Sequence, residues 1–348
     1  MARDIRLAIL GTGFMAQTMA AAIGHVPGLS VAGFASRDPE RARKLGMALR
    51  VGRHFGTLDD LLEDPSVDGV YIANETSAHA AAALRAIEAG KPVLCEKPFA
   101  MNAAEADAVV EAAARTRTLF MEAVATPFLP AVAEALTKAK SGALGELRQL
   151  NAEFGYLATR QSHPGCYAPV GGGVLLDRAV YLVTLALLAL GPAERAEAIV
   201  KRDEDGIDTH ASLLLTHEKG GIAMLAASFD AELGNRMTIA GAGGLASIEA
   251  PLLSAEVLTL RGAGIPSRPV PATGLRAVLR RSGLARRAAD VVRARHQRRF
   301  SLGASPYIHE LSHFRDLIRS GAHESPVLPP SLSARVIGIL DSVRTQAS

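Results

Sequence analysis

Three side chains in this sequence combine reactive chemistry with usable spacing: Lys97, Asp177 and Tyr181. Lys97 stands in Cys95-Glu96-Lys97-Pro98, at the end of a short apolar run. Open α/β sheets bind ligands at the carboxyl ends of their strands, and a lysine beside a backbone-restricting proline can aim an ammonium at a substrate hydroxyl. Alone, the same residue also reads as a surface lysine at a strand end. Asp177 and Tyr181 are four apart, so a helix starting near Val174 places both on one face. The run Gly171-Gly172-Gly173 ahead of it lets the helix N-terminus approach a ligand closely. Without a ligand, this spacing describes a half-buried tyrosine and a first-turn acid favoured by the helix dipole.

A second feature binds rather than reacts. Gly11-Thr12-Gly13-Phe14-Met15-Ala16 matches the dinucleotide fingerprint G-x-G-x-x-G/A. Gly11 allows a tight turn, Gly13 lets a pyrophosphate reach backbone N–H groups, and Ala16 permits close helix–strand packing. The six residues are a weak signal alone and a stronger one here, because they follow a strand and open a helix. The second strand ends in Ala35-Ser36-Arg37-Asp38. Ser36 and Arg37 suit a 2′-phosphate, which favours NADP, with NAD as the alternative. Asp38, ahead of Pro39, reads as the cap of the next helix.

The elements that must position these residues follow from periodicity. Short apolar runs at 5–10, 29–35, 67–73, 93–95 and 119–124 alternate with helical patterns at 14–23, 39–49, 77–89 and 103–114. This predicts a doubly wound α/β domain with a parallel sheet. From about residue 145 the pattern changes to strands at 146–156, 212–216, 222–229 and 236–240, with Gly-rich turns between several of them. That predicts a largely antiparallel sheet. A helix over 175–190 interrupts it, and helices over 307–320 and 332–345 close the chain.

Together, the Gly11–Ala16 fingerprint, Glu96-Lys97-Pro98 and the segment Gly171-Gly-Gly-Val-Leu-Leu-Asp177-Arg-Ala-Val-Tyr181 resemble the Gfo/Idh/MocA family of oxidoreductases, closest to its trans-dihydrodiol dehydrogenase-like branch. The resemblance implies an N-terminal Rossmann domain (1–124) and a C-terminal α/β domain with an open sheet (125–330), followed by a C-terminal helix (331–348). It also implies nicotinamide-dependent hydride transfer on a sugar, cyclitol or diol, and assembly into a dimer or larger homo-oligomer through the open sheet. On this reading Lys97 and Tyr181 bond the reacting oxygen, one of them relaying its proton, while Asp177 orients Lys97 and holds it charged. A nearby ammonium is expected to favour the Tyr181 phenolate. Gly11, Thr12, Gly13, Phe14, Met15, Ser36, Arg37, Glu75, His79, Glu96 and Lys97 are the expected cofactor contacts. His163 and Tyr167 are candidate substrate contacts, or simply residues of a loop turn.

The sequence departs from its relatives in three places. Ala73-Asn74-Glu75-Thr76 carries Glu75 where the family has proline, adding a carboxylate beside the cofactor that can pair with a nearby cation. Thr126-Pro-Phe-Leu-Pro130 lacks the arginine and histidine common in this branch, and Arg178-Ala179 replaces Leu-Gly. His79, at the family's usual histidine position, is expected to shape the helix start rather than to catalyse. These departures motivate an alternative: a cofactor-binding regulatory or structural protein that has lost turnover.

Length and composition set the frame. A chain of 348 residues, 49% hydrophobic and 21% charged, fits two globular domains. Two cysteines cannot build a disulfide framework, no Cys/His cluster has metal spacing, and no apolar stretch has membrane-spanning length, so a cytoplasmic protein is expected. Residues 264–300 hold ten arginines, no lysine and one acid, Asp290. The net +3 therefore hides a local +9 against −6 elsewhere. Apolar residues at helical spacing within it, from Leu275 to Val292, predict two short amphipathic helices with a basic face. They suit a solvated excursion or a subunit contact; an anionic surface is the alternative, and nucleic acid is not expected because no aromatics interleave the arginines.

Overall fold

The computed structural model describes residues 3–51, 53–262 and 296–346. The basic helices expected within 264–300 fall almost wholly outside the described residues. The first sheet comprises β1 (Ile5–Leu10), β2 (Leu29–Ala35), β3 (His54–Phe55), β4 (Gly69–Ile72), β5 (Val93–Glu96) and β6 (Phe120–Ala123). All its pairings are parallel, in the order β3-β2-β1-β4-β5-β6. Its inner strands β4 and β5 are buried on both faces, which is why they read as largely apolar runs rather than alternating ones. Helices α1 (Phe14–Ile23), α2 (Pro39–Ala48), α3 (Leu58–Glu63), α4 (His79–Glu88) and α5 (Ala103–Thr116) follow successive strands. Asp38 caps α2 as its position ahead of Pro39 predicts, accepting from the N–H groups of Glu40 (3.0 Å) and Arg41 (3.3 Å). The pair β3–α3 has no counterpart in the periodicity: a two-residue strand has no period to read.

The order β3-β2-β1-β4 puts the topological switch point between β1 and β4, where a crevice must open because successive crossovers leave in opposite directions. Gly11 stands at that point. Its φ is +129°, and a Cβ there would lie 2.2 Å from the carbonyl oxygen of Ala73 at the end of β4, so only glycine fits.

The second sheet holds β7 (Leu147–Gly155), β8 (Ala193–Arg202), β9 (Asp208–His217), β10 (Ile222–Ser228), β11 (Met237–Gly241), β12 (Gly244–Ile248), β13 (Val257–Gly262) and β14 (Gln297–Arg299). The order is β14-β13-β12-β11-β7-β10-β9-β8, antiparallel except for the parallel pair β7–β10. It is an open, mixed sheet. Helices α6 (Pro130–Lys140) and α7 (Val180–Leu190) cover one face. Every residue of α7 except Tyr181 is buried, so it lacks an amphipathic stripe. The other face leaves Ile199, Leu214, Ile222 and Met224 in solvent.

The chain end returns to the first domain. Leu311, Phe314 and Leu317 of α8 (Ile308–Ser320) pack with Leu7, Ile9 and Met19 beside the first sheet. In α9 (Pro330–Gln346), Ile337 joins the α5 side of the first domain while Val336, Leu340 and Val343 join the second core. One helix thus ties both cores together and holds their facing surfaces in register.

Candidate active site

Lys97 and Asp177 reach the same point from different domains. Lys97 follows β5, and its peptide bond to Pro98 is cis. Asp177 lies in a π-helical turn, Leu175–Ala179, that precedes α7. The sequence predicts one regular helix over this stretch; the wider turn, a common feature of functional sites, presents both the side chain and the carbonyl of Asp177. Lys97 Nζ donates to Asp177 Oδ1 (2.7 Å) and to its backbone oxygen (2.9 Å). Gly173 makes this turn possible. Its φ is +103°, and a Cβ would fall 2.3 Å from the Asp208 carboxylate, which accepts from the Leu175 N–H at 2.7 Å.

Tyr181 sits one turn on, with Lys97 Nζ 5.0 Å from its ring centroid. All three residues line a cavity of about 710 Å³ between the domains. Burial works against the Lys97 charge, but Asp177 more than offsets it and holds the ammonium above its ordinary range. Burial likewise opposes the Asp177 charge, and Lys97 with Arg178 holds the carboxyl below its ordinary range. Tyr181 corrects one expectation. Burial raises its phenol more than Lys97 lowers it, so the resting residue is a protonated phenol, not a phenolate. The site therefore presents two proton donors side by side.

The fingerprint lines an adjoining cleft of about 260 Å³, with Gly11, Thr12 and Gly13 below and Ser36, Arg37 and Glu75 to the sides. Ala73 and Asn74 border both spaces, so the cleft and the cavity adjoin along this segment. A Cβ on Gly13 would meet nothing within 4 Å, leaving room for a ligand against the backbone. Phe14 and Met15 line the larger cavity. An elongated ligand with a phosphate middle and two ring ends fits these residues: glycine-loop amides and the α1 N-terminus at the centre, arginine at one end, the ion pair at the other. Asn74 Oδ1 is buried at the junction without a hydrogen-bond partner among the described residues.

Other expected contacts divide. His79 is buried, its ring nitrogens 2.8 Å from the Pro98 oxygen and 3.3 Å from the Asn74 oxygen, and burial lowers its pKa. A neutral ring carries one N–H, and the shorter contact directs it to the Pro98 carbonyl, so His79 braces the turn after β5, a structural role, while its edge borders the cavity. Glu96 borders the cavity but accepts a hydrogen bond from the buried Tyr71 hydroxyl; burial raises its pKa. His163 lines the cavity and packs on Tyr156, ring centroids 5.6 Å apart. Tyr167 does not line it: its hydroxyl donates to the Ala158 carbonyl at 2.8 Å and its ring packs on Phe229, so this candidate substrate contact is a structural residue.

Sequence reasoning passed over several wall residues. Phe154 and Tyr156 alternate on one face of β7 and its continuation, a period-two signal present in the sequence. Leu253 and Tyr307 arrive from distant segments with no local signal. Cys166 Sγ lies 3.6 Å from Asp177 Oδ2, and burial pushes its thiol up to about 12, so it is an unreactive wall group. Arg178 is fully buried. Its guanidinium packs 3.6 Å from the Tyr156 ring centroid and 4.5 Å from that of Phe229, and Nη1 donates to the carbonyls of Tyr156 and Ser228. Its Nε is 3.8 Å from Asp177 Oδ2. Among the described residues, no cluster of His, Cys, Asp and Glu could hold a metal ion, and no helix is long and apolar enough to cross a membrane.

A parallel sheet with a glycine loop at its switch point, closed over by a second domain whose Asp177 and Tyr181 meet Lys97 of the first, defines an NAD(P)-dependent oxidoreductase of the class that acts on CH–OH groups. The chain belongs to the Gfo/Idh/MocA family. Residues 5–124 match the oxidoreductase family with NAD-binding Rossmann fold, and residues 132–247 match the GFO/IDH/MocA C-terminal domain. It is 32% identical over 317 residues to the Bos taurus trans-1,2-dihydrobenzene-1,2-diol dehydrogenase, covering 90% of this chain and 88% of that one. Its fold is similar to a levoglucosan dehydrogenase solved with NADH and levoglucosan (TM-score 0.81, 19% identity, 99% and 97% coverage). It is also similar to a 3-ketoreductase from Actinomadura kijaniata solved with NADP (TM-score 0.77, 24% identity, 99% and 98% coverage).

Proposed function

We propose that the substrate is a vicinal diol, cyclitol or sugar, or the matching carbonyl compound, bound in the 710 Å³ cavity beside Lys97 and Tyr181. The observation that carries this is the Lys97–Asp177 bond across the domain interface, in a cavity that shares its Ala73–Asn74 wall with the glycine-loop cleft. A bound nicotinamide supplies or accepts the hydride. Lys97 and Tyr181 hold the reacting oxygen between two donors, and one of them delivers its proton as a carbonyl is reduced, or takes it back in the reverse direction. Asp177 fixes the ammonium, and Phe154, Tyr156 and Leu253 give the wall an apolar side suited to a ring. The bovine relative's diol substrate and the levoglucosan bound by the structural neighbour are in keeping with this class.

Arg37, with Ser36 and Arg41 in the same cleft, favours NADP, with NAD as the alternative. The apolar outer face of the second sheet supports a homo-oligomer, a dimer or tetramer, since exposed apolar patches of this kind mark interfaces. Two free cysteines are in keeping with a cytoplasmic setting. The test is nicotinamide fluorescence on titration with NADPH and NADH, followed by a panel of diols, polyols, sugars and their carbonyl forms read at the nicotinamide absorbance. Turnover on any of these classes is expected. Nucleotide binding without turnover across the panel would leave a binding protein instead.

A further inference from the structure

We propose that Glu75 sets the choice between the two nicotinamide cofactors by competing with the 2′-phosphate of NADP for Arg37. This rests on reading the glycine-loop cleft as the site of the adenosine half. The sheet order sets the geometry. β1 lies between β2 and β4, so the loop Gly11–Gly13 is flanked by the segments that follow those two strands. Arg37 follows β2 and Glu75 follows β4, and their side chains form an ion pair. The pair therefore bridges the segments on either side of the phosphate loop, and both partners line the cleft.

Neither partner is held by packing: the side chains are 84% and 62% exposed, so the pair opens at little cost. Ser36, Arg37 and Arg41 give one wall the donors a phosphate monoester needs. Glu75 on the other wall has the wrong charge for that group. It occupies the guanidinium in the free protein and repels the incoming dianion. Toward an unphosphorylated ribose the same carboxylate is an acceptor for hydroxyl groups, the role an acid at a strand tip plays in NAD sites. Arg37 thus pulls toward NADP and Glu75 pulls back.

The measurement is the pair of dissociation constants for NADPH and NADH, by fluorescence titration at low salt, in the wild type, Glu75→Gln, Arg37→Ala and the double variant. Circular dichroism checks that each is folded. Glu75→Gln is expected to shift the NADH:NADPH ratio of dissociation constants about fivefold or more toward NADPH. The shift should be markedly smaller in the Arg37→Ala background, where only the direct effect of the carboxylate on the ligand remains. An unchanged or reversed ratio in Glu75→Gln, or a shift of undiminished size without Arg37, overturns the proposal. A wild type that binds neither nucleotide would instead sink the reading of the cleft, and the competition with it.

Discussion

Lys97 and Asp177, 80 positions apart in the chain, are joined at two points: the ammonium bonds both the carboxylate (2.7 Å) and the backbone carbonyl (2.9 Å) of the same residue. A carboxylate alone would leave the lysine free to swing about one contact. Two acceptors on one π-helical turn fix its direction, and that direction places it over the Tyr181 ring. The bond also links the end of β5 to the start of α7, so the site is complete only when the two domains are packed.

Lys97→Met and Tyr181→Phe should each lower kcat by about 10²-fold or more, the scale of a lost proton donor. Steady-state rates on the best substrate of the panel, with nucleotide affinity measured in parallel, separate this from a cofactor-binding defect. A kcat retained in both would remove the assignment.

Asp177→Asn should expose the titration of Lys97. In the wild type the carboxyl lies below its ordinary range, so the pair's contribution is lost only as pH falls through that depressed value. The ammonium lies above its ordinary range, so at the other end the contribution is lost only as pH rises through that raised value. Neither limb crosses neutrality. Without Asp177, burial acts on Lys97 less opposed, and the alkaline limb of kcat/KM should move down by at least about one pH unit.

Glu122 should make stability depend on pH. It is buried on β6, accepts from the Phe99 N–H (3.2 Å), and burial pushes its carboxyl up to about 7 from 4.5. The folded protein therefore binds a proton that the unfolded chain releases, and stability falls as pH rises from about 4.5 to about 7. Glu122→Gln keeps an acceptor without the charge. Its Tm should match the wild type near pH 5 and exceed it by several degrees at pH 8, as scanning calorimetry would show.

Arg178→Ala should destabilise the fold by about 3 kcal/mol or more, because it opens a cavity among three aromatic rings and removes the donor to a buried carbonyl, that of Ser228, and to the part-buried carbonyl of Tyr156. The urea midpoint reads this directly. A change under about 1 kcal/mol would mean the buried cation contributes little.

Ile199→Glu combined with Met224→Glu should yield a monomer. These side chains are 81% and 52% exposed on the uncovered face of the second sheet. Light scattering on the wild type and the double variant checks it; unchanged mass in an assembled protein would place the interface elsewhere.

The first domain was legible in the sequence because its signals are local. Buried parallel strands are largely apolar, so β1, α1 and β2 end where their patterns do, and the Asp38 cap and the Gly11 turn are written in single residues. The second domain was less so. β8 went unseen because its charged outward residues, Glu194, Arg195, Glu197 and Lys201, hide the alternation that only pairing with β9 reveals. The parallel pairing of β7 with β10 is likewise invisible to turn signals, since it joins strands distant in the chain.

At the site, residue types and spacing, read together with the family resemblance, nominated an amine, an acid and a phenol and marked the glycine loop. Only the tertiary structure decided their states. Tyr181 is a phenol rather than a phenolate because burial, a property of the packed whole, outweighs one neighbouring charge. Tyr167 lies outside the cavity lining with its hydroxyl on the Ala158 carbonyl, and Glu75 meets Arg37 because the segments after β2 and β4 flank the glycine loop that follows β1. Spacing along a chain limits what can react; which groups meet, and with what proton, is set by long-range packing that no local pattern encodes.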